Sequence, residues 1–305
     1  MSDVIVLGAG ISGLTSAVRL LTRGARVTVV AAGEPTVSRL AAAVWYPTHT
    51  VADPRVLTWA TATYDELMQH AADGIPGCAF RPTRMLLRSP DSRPWWAPAV
   101  PSFTALWEFT VPSTEMEVYL QWLIERVQAL GGTVERRRVT ALTDLAGRAP
   151  ILVNASGLAA RELAADPSVF PARGQIVVVA NPGLVTSIRD EDHPDGMTYI
   201  HPRRHDVVLG GTFQPDDWST AVDPATTAAI LRRCTALVPE LASAEVLWQA
   251  AGLRPARHGG PRVELDPVPL PDGTRVIHNY GHGGAGVTLS WGCATEVAAL
   301  ALALG

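Results

Sequence analysis

Apolar positions mark out the first elements of the chain. Residues 4–7, Val-Ile-Val-Leu, form an unbroken apolar run, the pattern of a parallel strand buried on both faces. Leu14, Ala17, Val18 and Leu21 then recur at helical spacing, and Gly24 stands where such a helix stops. Residues 26–31 read as a second strand, so the chain opens with a β-α-β unit with short connections. Residues 35–110 carry little periodicity; they hold many of the prolines and Trp45, Trp59, Trp95, Trp96 and Trp107. The spacing predicts an amphipathic helix over 116–130, with Val118, Leu120, Leu123 and Val127 on its apolar face and Gly131-Gly132 ending it. Strands are expected at 133–139, 151–153, 175–179, 198–201, 207–210 and 276–278, and 224–241 contains a helix. A glycine-rich turn, 281–286, leads into a terminal helix around 291–304, and no internal repeat is visible.

The β-α-β unit at the start and the glycine turn at the end predict a discontinuous first domain, residues 1–50, 130–175 and 265–305. A second domain, 51–129 and 176–264, is inserted between its parts. Composition narrows the function classes. The formal net charge of −4 gives no general field for nucleic acid or an anionic membrane, and all the basic charge is arginine. Cys78, Cys234 and Cys293 are odd in number and far apart, which argues against a disulfide framework and a zinc site. They read as buried small residues in a reducing cytoplasm, and no metal is expected. No apolar run reaches the ~18 residues that a membrane span needs. The acidic start lacks the basic region of a signal peptide, and the last three residues are not a peroxisomal tripeptide. A cytoplasmic enzyme is the expectation.

Gly8-Ala9-Gly10-Ile11-Ser12-Gly13 fits G-x-G-x-x-G between a strand and a helix. Gly8 allows the tight turn, Gly10 lets a pyrophosphate approach the backbone, and Gly13 lets the helix pack close to the sheet. The helix N-terminus then offers free N–H groups to the phosphates. A carboxylate about 20 residues on would take the ribose hydroxyls. The second strand ends instead at Ala31-Ala32-Gly33, which leaves Glu34 or Ser38 for that contact. The fingerprint alone does not choose between FAD and NAD.

His278-Asn279-Tyr280-Gly281-His282-Gly283-Gly284-Ala285-Gly286, followed by Gly292 and Ala294, resembles the signature of the D-amino-acid oxidase family. Further segments resemble the family in the same order: Ala41 to Pro47, Tyr119 to Leu123, Arg173 to Ile176, Tyr199 to Pro202, Gly210 to Gln214 with Trp218, and Gly252 to Arg257. The resemblance spans nearly the whole chain. It implies an α/β fold: a Rossmann-type FAD-binding domain with an interleaved α+β substrate domain on a mixed or antiparallel sheet. It also implies non-covalent FAD and further cofactor contacts at Ala42, Ala43, Val139, Ser156, Gly157 and Val287. Residue chemistry agrees at the C-terminal turn. A reduced flavin carries negative charge, and the glycines 283–286 with Thr288, just before a helix, supply N–H groups and a positive dipole end for it.

Arg254 is the expected partner of a substrate carboxylate, because a guanidinium holds both oxygens in a planar fork. Arg257 and Arg262 read as ordinary salt-bridge residues. The resemblance gives Tyr199 the role of donating its hydroxyl to the same carboxylate and Gly284 that of offering its carbonyl to the substrate amine. Val44, Tyr46 and His49 would line the side-chain pocket. His201 shares a strand face with Tyr199 and is a further pocket residue, whereas His278 and His282 read as hydrogen-bonding to backbone. The implied reaction is oxidative deamination of D-amino acids: hydride passes from Cα to flavin N5, and O2 is reduced to peroxide. The cofactor does the chemistry and the protein orients. Against the animal members of the family that the chain resembles, the segment before Tyr199, residues 190–198, is shorter and lacks their aromatic gate, and Asp190, Glu191, Asp192 and Asp195 read as a solvated face. Any of these acids at the pocket mouth would repel acidic substrates, so neutral D-amino acids are expected to be preferred. The competing readings are a D-aspartate oxidase or other amine oxidase, with His49, His201 or Arg203 as a second anchor, a dehydrogenase on the same fold, and a flavin-free dinucleotide-binding protein. A homodimer is a possible assembly.

Overall fold

The computed structural model describes residues 3–33, 36–86, 94–104 and 107–304. Along the chain run β1 (Asp3–Leu7), α1 (Ile11–Thr22), β2 (Arg26–Ala31), α2 (Pro54–Ala72), β3 (Cys78–Leu86), β4 (Glu108–Thr114) and α3 (Met116–Ala129). There follow β5 (Thr133–Arg136), β6 (Ile151–Asn154), α4 (Ala160–Leu163), β7 (Val169–Ala180), β8 (Ser187–Asp190), β9 (Thr198–Pro202), β10 (Asp206–Gly210) and β11 (Gln214–Pro215). The last elements are α5 (Pro224–Leu237), β12 (Val246–Arg257), β13 (Arg262–Leu265), β14 (Arg275–Tyr280) and α6 (Gly286–Leu302).

These strands form two sheets. The first has the order β13-β14-β6-β1-β2-β5, parallel except for β13. Its central strands are apolar on both faces because helices cover them. Val6 and Val29 pack on α1 and α6, while Ile5, Leu7 and Val30 pack with Leu142 and Leu145. The second sheet runs β7-β10-β9-β8-β3-β4, with β12 along the other edge of β7. It is mixed: β3 and β8 are parallel, and the other pairs are antiparallel. α5 covers one face of this sheet through Ile230 and Cys234. The opposite face carries the side chains of the site.

Several expectations are corrected. α2 fills part of the stretch expected to carry little period; Asp53 caps it, accepting from Arg55 N at 2.7 Å, and Pro54 opens it. The apolar face of α3 consists of Met116, Tyr119, Leu120, Leu123 and Val127, whereas Val118 points outward. Residues 283–302 are long and apolar enough to cross a membrane by length and composition. Here they form a core element packed on α1 and α2, and Glu296 within it accepts from Trp59 Nε1 at 2.5 Å.

Candidate active site

A cavity of about 680 Å³ lies between the two sheets. One end is built on the C-terminal ends of β1 and β6. Gly8, at φ +115°, turns the chain out of β1, and an added Cβ would lie 2.3 Å from Ala155 O. A Cβ on Gly13 would lie 2.0 Å from Gly8 O, so α1 can cross the turn only as glycine. Gly10 has a different environment: its added Cβ would meet only Ser38 Oγ, at 3.2 Å, and would otherwise project into the cavity. Gly10 is also the N-cap of α1 and contributes no side chain there. Ser38 Oγ accepts from Ile11 N at 3.1 Å, which ties residues 36–38 to the fingerprint. At the end of β6, Asn154 Oδ1 accepts from Ser156 Oγ at 2.6 Å and from Ser156 N. A bare, glycine-lined helix N-terminus without an acidic residue in its first turn suits a pyrophosphate.

The second feature is the turn after β14. Gly281 and Gly283 have φ of +83° and +56°, and a Cβ on Gly283 would lie 2.9 Å from His49 O. The turn therefore packs against residues 48–49 and delivers its N–H groups to the N-terminus of α6. Thr288 Oγ1 donates to Tyr46 O at 2.9 Å and accepts from Tyr46 N at 3.1 Å, clamping the opposite wall. His282 is buried beside Ser12, its Nδ1 3.4 Å from Ser12 Oγ, and burial lowers its pKa to about 4.

The third feature is the cavity face of the mixed sheet. Tyr199 on β9 lays its ring over β10; added Cβ atoms at Gly210 and Gly211 would lie 2.1 and 2.5 Å from it. From the other edge, Arg254 on β12 reaches across β7, where a Cβ on Gly174 would lie 1.9 Å from Nη1. Two glycine floors thus let the arginine and the tyrosine approach each other. Arg254 Nη1 donates to Thr212 O at 3.0 Å, and Arg254 lines the cavity next to Tyr199. Burial raises the pKa of Tyr199 against the pull of Arg254 and Arg189, so its hydroxyl keeps its proton and can donate. His49 stacks on Phe213 at 3.9 Å. Burial, then Arg254 and Arg189, lower its pKa to about 4.

Most of the expected residues meet in this one cavity. Gly8, Ala9, Gly10, Ile11, Ser12, Ser38, Ser156 and Gly157 line it at the fingerprint end, and Ala42 and Ala43 are also on its wall, Ala42 packing against the cluster of Ile176 and Tyr199. Gly283, Gly284, Gly286, Val287 and Thr288 line its middle. Val44, Tyr46, His49, Tyr199, His201 and Arg254 line the other end. Three residues are not on its wall. Gly13 is a packing glycine and Ala285 is fully buried; Val139 packs behind β1 and β6 with Ile5 and Leu152. Glu34 lies outside the described residues. His278 bonds to Asp266 at 2.8 Å, a side chain rather than the backbone. Arg203 pairs with Asp206 at 2.6 Å, and Arg257 and Arg262 pair with Asp166 and Glu264.

Sequence reasoning missed Arg189. It lies on β8 directly opposite Tyr199 in the antiparallel register and lines the cavity. Its guanidinium sits 4.0 Å over the Tyr46 ring and 3.6 Å from Glu191 Oε1. Among the described residues it makes no hydrogen bond, and its buried Nε has no partner. Glu191 accepts from Tyr46 Oη at 3.0 Å, and Asp190 is fully buried. Those two acids therefore do not belong to a solvated face, unlike Asp192 and Asp195, which are exposed. The alternation Ser187-Ile188-Arg189 was the one available signal, since it puts Arg189 on the face opposite to Ile188.

Comparison with known proteins gives three findings. The model of the FAD dependent oxidoreductase family DAO matches residues 3–99 and 92–300. A D-amino-acid oxidase of Rubrobacter xylanophilus is 49% identical over 99% of this chain and 96% of its own, and a human D-aspartate oxidase is 35% identical over 97% and 94%. A glycine oxidase structure from Geobacillus kaustophilus superposes with a TM-score of 0.79 at 19% identity, covering 99% of this chain and 95% of its own.

Proposed function

This chain belongs to the FAD dependent oxidoreductase family DAO, and we propose that it oxidises D-amino acids with O2 to 2-oxo acids, ammonia and hydrogen peroxide. The observation that carries this reading is the meeting of Arg254 and Tyr199 over Gly174, Gly210 and Gly211, in the same cavity as the dinucleotide fingerprint. FAD fits the residues present: the glycine fingerprint would hold its pyrophosphate, and the turn at 283–286 would face the flavin. When bound, it supplies the acceptor for the hydride of the substrate Cα and the electrons for O2.

The chain's own groups bind and orient. Arg254 takes both oxygens of the substrate carboxylate, and Tyr199 Oη donates to one of them. Fixing the carboxylate at two points sets the direction in which the Cα–H bond is presented. Gly284 offers its carbonyl to the amine. His49, uncharged at neutral pH, puts no positive charge beside that amine. Val44, Ile176, Met197 and Ala250 make an apolar surround from which water is displaced. Peroxide release across a panel of D- and L-amino acids tests the reading. Turnover of D-amino acids is expected, and turnover confined to L-amino acids would overturn it.

A second reading, favoured by Arg189, is that acidic D-amino acids are substrates. Across the sheet the order is Arg254, Tyr199, Arg189. A substrate whose α-carboxylate sits at the first two can direct a distal carboxylate to the third. Among the described residues the buried Arg189 guanidinium is met only by the 3.6 Å ion pair with Glu191 and the Tyr46 ring and makes no hydrogen bond, which leaves donors for an acceptor-rich group. The human relative is named for D-aspartate. Arg189→Met is expected to cut kcat/KM for D-aspartate at least about tenfold more than for D-alanine. An equal loss for both would remove this reading.

A further inference from the structure

A second buried arginine lies behind the site, off the cavity wall. Arg233 on α5 is 6% exposed. Its Nε donates to Thr198 Oγ1 at 3.0 Å, its Nη1 to Asp195 O at 3.2 Å, and its Nη2 to Met197 O at 3.4 Å and Gly211 O at 3.3 Å. Three of the four acceptors lie in residues 195–198, immediately before Tyr199. The fourth is in the turn after β10, on which the Tyr199 ring rests. The same two pieces are joined by a backbone bond from Gly211 N to Met197 O at 3.1 Å. Thr198 Oγ1 passes the link on to Gly196 O at 3.0 Å. Burying a guanidinium without a hydrogen-bonded carboxylate is expensive. Lysine has three donors on one point charge, whereas this arrangement uses a planar fork to reach four oxygens on two segments.

We propose that Arg233 is a positioning residue for the substrate carboxylate. By tying residues 195–198 to Gly211, it fixes the Tyr199 hydroxyl towards Arg254 and holds Met197 as a stationary wall of the substrate cavity. It touches neither substrate nor FAD. The inference rests on the reading of Tyr199 and Arg254 as the carboxylate site. It adds that the short segment before Tyr199 is pinned from behind and does not have to swing for that site to form.

The test is the binding of benzoate, used as a simple carboxylate, to FAD-loaded protein, read from the perturbation of the flavin absorption bands. Arg233→Met is expected to raise the Kd about tenfold, the scale of a lost hydrogen bond to a charged group. KM for a D-amino acid rises with it, while kcat changes little. Arg233→Lys rescues only part of the loss. Arg233→Met combined with Tyr199→Phe binds no more weakly than the weaker single variant, because both act through one hydroxyl. If Arg233→Met does not yield folded, FAD-loaded protein, Thr198→Val removes the Nε acceptor and is expected to show a smaller weakening, also abolished in the Tyr199→Phe background. An unchanged Kd in the folded variants, or losses that add fully to that of Tyr199→Phe, overturns the proposal. Absence of benzoate binding by the wild type would instead overturn the carboxylate site on which it rests.

Discussion

Gly174→Ala isolates the role of Arg254 without removing any of its atoms. An alanine Cβ there would stand 1.9 Å from Arg254 Nη1 and 2.3 Å from Cζ and Nη2, whereas ordinary contact begins at 3.4 Å. The colliding atoms are the free end of a flexible side chain, so the guanidinium gives way and the strands do not. β7 keeps its pairing with β12, where Gly174 faces Gly252. The guanidinium must retreat by over about an ångström, a misplacement of the size that costs about 10²-fold in rate. That corresponds to ~2.7 kcal/mol at 1.36 kcal/mol per tenfold. Truncating a desolvated charge pair altogether costs ~2–5 kcal/mol, so Arg254→Leu sets the ceiling. The assay is kcat/KM for a D-amino acid by peroxide release, with FAD occupancy and thermal midpoint measured on the same sample. Both controls are expected to stay close to wild type. A Gly174→Ala enzyme within about threefold of wild-type kcat/KM would refute the placement of Arg254 over β7, since that is well below the loss assigned to an ångström of misplacement.

Tyr199→Phe is expected to cost less than Arg254→Leu, ~1–2 kcal/mol in kcat/KM, because the arginine still holds the carboxylate; an equally deep loss in the two variants would contradict the ranking. Acid stability follows from His49 and His282, both held at about 4 in the folded chain against an ordinary 6.5. As pH falls below 6.5 the unfolded chain takes up protons that the folded chain refuses, so stability is lost between 6.5 and 4 and is insensitive to these groups above ~7. Thermal midpoints measured from pH 7.5 to 5 should fall on acidification, and a rise would contradict the burial of these rings.

The legible parts of the chain were those where local pattern and tertiary role coincide. β1, α1 and β2 announce themselves because an apolar run, a 3.6-residue period and three glycines serve one unit. β12 was missed. Its core, Ala250-Ala251-Gly252-Leu253-Arg254-Pro255, is poor in β-branched residues, and the strand exists because it pairs with β7 along almost its whole length. α2 was hidden among prolines, although its buried face, Val56, Trp59, Ala60, Thr63, Tyr64 and Leu67, does recur at helical spacing. Arg254 and Tyr199 could be named from the sequence, yet the sequence does not show that glycines on two other strands make their meeting possible. Glu191 and Arg233 were illegible, and Arg189 left only the faint trace of a strand alternation, for a different reason. Charged residues are read as solvated unless paired; Arg189 is buried by the register of β8 against β9, Arg233 by the packing of α5 against residues 195–198 and Gly211, and Glu191 is held half-buried beside Tyr46 and Arg189.

The most direct test of the account is anaerobic mixing of the purified protein with a D-amino acid while its absorption spectrum is followed. The protein is expected to be yellow, with flavin bands that are lost on adding the D-amino acid and return when O2 is admitted, with peroxide formed. A protein that stays colourless after incubation with FAD would contradict the account, as would flavin bands that persist with every D-amino acid tried.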